Sequence, residues 1–133
     1  MVLVALLGCV APEGDRKMQV EVDVFSGRPN PHWELTAQES NEFVQRFQSL
    51  SPSSGEGAVK EGLGYRGLIV SAPEKEIEGF QEILVSNGLV VARRDSQSQQ
   101  FVDRNRVLEK WLFQTGKGRL DNELYRQISG SIE

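Results

Sequence analysis

The dipeptide Asn87-Gly88 constrains this chain more than any other pair of residues. A two-residue connection between apolar runs requires positive φ at both positions, which Asn and Gly tolerate best. The resulting type I′ turn closes a β-hairpin. Here it joins Gln81–Ser86 to Leu89–Arg93. The turn also sets the register: Ser86 opposite Leu89, Leu84 opposite Val91, and Glu82 opposite Arg93 as an opposite-charge cross-strand pair. Ile83, Val85, Val90 and Ala92 occupy the other face. Both faces are largely apolar, so the hairpin is expected at the centre of a sheet or covered on both sides.

The remaining pattern supplies what such a hairpin packs against. From Met18 to Phe25, Met18, Val20, Val22 and Val24 alternate with Gln19, Glu21 and Asp23, the period of a half-buried strand. Tyr65–Ala72 reads as another strand. Thr36 and Glu39 form a capping box that opens a helix with Phe43, Val44, Phe47 and Leu50 on one face, ended at Ser51-Pro52. Residues 51–64 carry three Ser and four Gly and are expected as a long surface loop, with Arg94–Gln100 as a polar loop. Asp103 is placed to cap a helix with Val107, Leu108, Trp111 and Leu112, Gly116 to close it, and Asp121 to cap a last helix with Leu124, Tyr125 and Ile128. The order β-α-β-β-β-α-α implies an α+β domain over residues 18–133: a small, mainly antiparallel sheet with two or three helices packed on one face. A chain of 133 residues, 38% of them hydrophobic, is long enough for one such core.

Residues 1–17 stand apart. Val2 to Val10 carry no charge, and the polar stretch Pro12 to Lys17 follows. The run is too short to span a bilayer, which needs about 20 apolar residues. Leu6-Leu7-Gly8-Cys9 resembles the lipobox of bacterial lipoproteins. In that family the cysteine is lipidated and becomes the first mature residue, with a polar tether after it. The basic residues and longer apolar run that normally precede a lipobox are missing, so the segment reads as a truncated signal. The resemblance implies a periplasmic or outer-surface protein, membrane-bound only through Cys9. The competing reading is a buried strand from Val2 to Leu7, which would leave a cytoplasmic protein.

Composition excludes several chemistries. One Cys and one His rule out most zinc sites and any intramolecular disulfide, and neither a metal nor a cofactor is expected. The net charge of -4 argues against a general nucleic-acid binder, although residues 93–126 are basic. Gly62 to Gly67 spells G-x-G-x-x-G but leads into a strand rather than a helix, so it is not a dinucleotide site.

The candidate site is Phe25-Ser26-Gly27-Arg28-Pro29-Asn30-Pro31-His32-Trp33. Two prolines fix two φ angles and stiffen a loop holding a guanidinium, an amide, the sole imidazole and an indole. Purely structural roles are also open to it. Gly27 can supply a positive φ, Arg28 can bond loop carbonyls, Asn30 can form an Asx turn, and Trp33 can close the core. The F-S-G-R-P-N-P-x-W string, with Tyr65-Arg66-Gly67 and Leu108-Glu109-Lys110-Trp111-Leu112, resembles small uncharacterised bacterial and fungal proteins over residues 18–130. The resemblance implies no activity. Three readings follow. The first is a binding or accessory domain that recognises a small molecule or protein through Arg28, Asn30, His32 and Trp33. The second is a hydrolase-like enzyme with His32 as general base and Arg28 as anion clamp. The third is a structural or inhibitor-like protein with no small-molecule site.

Overall fold

A computed structural model describes residues 18–25, 27–53, 64–72, 77 and 79–132. The apolar run Val2–Val10, Cys9 and the polar stretch before β1 lie outside the described residues, as do 54–63 of the expected long loop. The elements are β1 (Gln19–Asp23), β2 (His32–Glu34), α1 (Ala37–Gln48), β3 (Ser51–Pro52), β4 (Gly67–Ser71), β5 (Glu82–Ser86), β6 (Leu89–Arg94), β7 (Gln97–Val102), α2 (Val107–Gln114) and α3 (Asn122–Ile132). The strands form one antiparallel sheet in the order β2-β1-β4-β5-β6-β7-β3. Buried side chains from one face of β1, β4, β5 and β6 meet Phe43 and Phe47 of α1, Leu108, Leu112 and Phe113 of α2, and Ile128 and Ile132 of α3 in a single core. The fold is therefore α+β, with the helices on one side of the sheet.

The β5–β6 hairpin is central, as its two apolar faces require. Asn87 and Gly88 both adopt positive φ, 52° and 87°, and the pairs Ser86–Leu89, Leu84–Val91 and Glu82–Arg93 all form. Ile83, Val85, Val90 and Ala92 are fully buried against the helices, while Leu84, Leu89 and Val91 make a second buried cluster with Ile69 on the opposite face. The capping box closes as expected: the Thr36 hydroxyl accepts from the Glu39 N–H at 3.0 Å, and the Glu39 carboxylate accepts from the Thr36 N–H at 2.9 Å.

Several expectations are corrected. The expected order misses three strands. Residues 97–102 are β7 rather than part of a polar loop, because Asp95, at φ 52°, turns the chain back so that Gln97 pairs with Arg94. A polar sequence suits a strand whose residues 97–99 are all exposed. Ser51-Pro52 is not merely a helix stop but β3, paired with Phe101 and Val102. His32–Glu34, too short to show a period, is β2. Asp103 caps α2 as expected, but not from the N-cap position itself, which Arg106 occupies. A 3-10 turn (Arg104–Arg106) intervenes, with Asn105 and Arg106 both at φ 58°. Asp103 reaches past it, and its two carboxylate oxygens accept from the N–H groups of Leu108 (2.8 Å) and Glu109 (3.0 Å). Gly116 is not in the left-handed conformation of a capping glycine. A Cβ there would lie 2.8 Å from the Trp33 ring, so close packing is what requires glycine.

The least expected feature is Glu109, a fully buried glutamate at the start of α2. Arg106 grips its carboxylate in two-pronged fashion, at 2.8 and 3.0 Å. The Asn87 N–H in the hairpin turn donates to it at 2.8 Å, and the Tyr65 hydroxyl ahead of β4 donates to it as well. Burial, and then the adjacent carboxylate, hold the Tyr65 phenol far above its usual pKa, so the proton stays on tyrosine. One carboxylate thus joins α2, the central turn and the approach to β4. Replacing Glu109 with Ala is expected to cost about 3 kcal/mol in urea unfolding, because three donors lose their acceptor in a dry site. A loss below about 1 kcal/mol would remove this cluster from its organising role.

Candidate functional site

The loop between β1 and β2 is rigid for reasons visible in its residues. Gly27 has φ 82°, a conformation that side-chain-bearing residues disfavour. Asn30 is the pin. Its Oδ1 accepts from the N–H groups of Val24 (3.0 Å) and Phe25 (2.8 Å), and its Nδ2 donates to Glu21 Oε2 at 2.9 Å. The Arg66 guanidinium ties the same loop from the β4 side, donating to Asp23 Oδ1 at 2.7 Å and to the Phe25 carbonyl at 3.0 Å. The far end is anchored by Trp33, which is 5% exposed and donates from Nε1 to Thr115 Oγ1 at 2.8 Å.

These anchors divide the four candidate residues. Trp33 belongs to the core, and Asn30 is occupied with holding the loop. Arg28 and His32 are exposed. Among the described residues, Arg28 bonds no loop carbonyl. Its guanidinium lies 3.8 Å above the centre of the Phe25 ring. Both residues line a cleft of about 680 Å³, whose opposite wall is the α2–α3 connection and the first turns of α3: Arg119, Leu120, Asp121, Glu123, Leu124 and Gln127. Sequence spacing gives no hint of that wall, which lies about ninety positions downstream.

Two of the charged residues lining the cleft, Arg119 and Glu123, have ion-pair partners. Arg119 pairs with Glu39 at 3.0 Å and also donates to the Glu34 carbonyl at 3.4 Å. Burial raises the Glu39 carboxyl pKa, but the Thr36 N–H and the Arg119 guanidinium outweigh it and hold the group below its ordinary value. Asp121 accepts from the Leu124 N–H at 3.1 Å, and Glu123 pairs with Arg126 at 3.1 Å. Among the described residues, Arg28 has no carboxylate partner. His32 likewise makes no side-chain hydrogen bond among them. Of the carboxylates near it in sequence, Asp23 is taken by Arg66, and Glu34 lies two residues further along β2. A general base needs an orienting partner, and the described residues form none here.

Two other concavities are poorer candidates. One, of about 540 Å³, is lined by residues of α1 and its cap, all polar or charged. The other, of about 330 Å³, lies between Leu50, Val102 and Val107 and joins the exposed Val102 and Val107 side chains into a small apolar groove. Among the described residues, no group of acidic, His and Cys side chains is arranged to hold a metal, and no helix is long and apolar enough to cross a membrane. No protein-family model, curated protein or solved structure matches this chain.

Tyr65-Arg66 links the candidate loop to α2. Tyr65 bonds Glu109, Arg66 bonds Asp23 and the Phe25 carbonyl, and Trp33 packs against Gly116 beyond the end of α2. Together they form the frame behind the cleft. Replacing Asn30 with Ala is expected to destabilise the chain by about 1–3 kcal/mol, because two half-buried N–H groups lose their acceptor. Equilibrium urea unfolding measures this, and an unchanged midpoint would show that the loop is held by other means.

Proposed function

We propose that this chain is a small binding or accessory domain whose recognition surface is the cleft between the Arg28–His32 loop and α3. The observation that carries this reading is the contrast within one loop. Asn30 and Trp33 are fully engaged in fixing the backbone, yet Arg28 is held out over the Phe25 ring with no carboxylate partner among the described residues. An exposed cation on a pre-organised support loses little entropy on meeting a ligand. The cleft therefore suits a ligand bearing a carboxylate or phosphate, with Arg28 as the principal contact and His32 beside it.

A thermal-shift screen of anionic small molecules against the wild type and Arg28→Ala tests the reading. A ligand present at 100 times its Kd is expected to stabilise the wild type by about 2.7 kcal/mol and the variant by much less. Equal stabilisation of both proteins by every hit would place binding elsewhere.

The lipobox-like Leu6-Leu7-Gly8-Cys9 adds a tether to this proposal, with the domain held at a membrane surface by a lipid on Cys9. Intact-mass spectrometry of natively produced protein is expected to show an acylated Cys9 at the mature N-terminus. An unmodified Cys9 still preceded by residues 1–8 would discard the tether and leave the cleft untouched.

A further inference from the structure

The cleft has a third property besides shape and charge: it borders a sheet edge that no described strand covers. β2 is a terminal strand, and its pairing with β1 fixes which backbone groups are used. The Leu35 N–H donates to the Met18 carbonyl at 2.8 Å, and the Val22 N–H donates to the Pro31 carbonyl at 3.0 Å. In an antiparallel ladder these bonds recur at every second residue. Pro31, Trp33 and Leu35 therefore face β1, and the backbone groups of His32 and Glu34 face outward. The Glu34 carbonyl is taken by Arg119, but the His32 N–H and C=O remain unpaired among the described residues, at the cleft wall. Three residues separate this open pair from the Arg28 cation, and six separate it from the Phe25 ring beneath that cation.

We infer that the ligand of this cleft is an extended peptide segment carrying a carboxylate, which adds to the sheet beside β2. One of its residues exchanges two backbone hydrogen bonds with His32, and its carboxylate meets the Arg28 guanidinium. Main-chain pairing supplies affinity that is indifferent to side chains, and the single charge contact supplies selectivity. The short edge limits pairing to one residue, so the charge contact is needed to complete the site. The prolines on either side of Asn30 fix two φ angles of the loop beside this edge. This inference rests on the cleft being the recognition surface and adds the chemical class of its occupant.

Panning a random decapeptide display library on the full chain, followed by anisotropy titration of synthetic hits, tests it. Enriched peptides are expected to contain Asp or Glu within a β-prone stretch. Arg28→Ala is expected to weaken them about tenfold. N-methylation at one backbone position, scanned along the peptide, is expected to weaken binding by about the same factor through loss of one hydrogen bond. Amide exchange at His32, followed by NMR, should slow on saturation with the peptide. Binding that depends on Arg28 but tolerates every N-methyl group, with His32 exchange unchanged, would overturn strand addition and keep the cleft. Failure to enrich any peptide above background would overturn the peptide class. Binding indifferent to Arg28→Ala would overturn both the inference and the cleft reading beneath it.

Discussion

The carboxylate of Glu109 is the point through which the parts of this fold are held in common. It accepts from Arg106 on its own turn, from the Asn87 N–H in the central hairpin and from Tyr65 ahead of β4. A charge with no exposure to water is tolerated only when its lone pairs are filled, and here they are. The backbone leading into this ion pair is irregular: Asn105 and Arg106 adopt the left-handed conformation, and Asp103 accepts from the N–H groups of Leu108 and Glu109 in α2. Two left-handed residues cost free energy locally, which is recovered in the ion pair and the filled helix end.

From this fixed junction the geometry of the cleft follows. Placing α2 sets the position of Gly116, whose missing side chain admits the Trp33 ring. Trp33 then sets β2 at the sheet edge, and Asn30 and Arg66 set the loop that leads into it. The polypeptide beyond Gly116, from Arg119 to Leu124, supplies the opposite wall of the cleft. The exposed residues of the loop are thus displayed by a support that the core itself determines.

Much of this was legible in the sequence where a local rule applies. Asn87-Gly88 dictates a turn geometry, and its register follows by counting; Thr36 and Glu39 satisfy one another across a single helical turn. The hidden parts depend on partners far away in the chain. Nothing in the neighbourhood of Glu109 marks it as buried, since a glutamate on a helix ordinarily faces water, and its acceptor role needs Tyr65 and Asn87 brought alongside. β7 was concealed because alternation is invisible when both faces are polar. β2 and β3 were concealed because three and two residues hold no period. In the candidate loop, the residue types were evident but their division of labour was not. Whether an indole or an amide works inward or outward depends on a partner, and the partner of Trp33 is Thr115, 82 positions away.

The two ends of the sheet are built differently. At the β3 edge, the Ser53 N–H donates to the Gln100 carbonyl at 2.9 Å, so the backbone of Pro52 falls at the outward-facing position. A proline there has no hydrogen to offer a newcomer. A sheet is extended into a fibre when each added copy leaves a further edge that can pair. Here one terminus is chemically blunt at that position and the other presents a single residue between a proline and an arginine. With both of its described termini restricted in this way, the sheet is a poor template for edge-to-edge pairing between copies of the molecule.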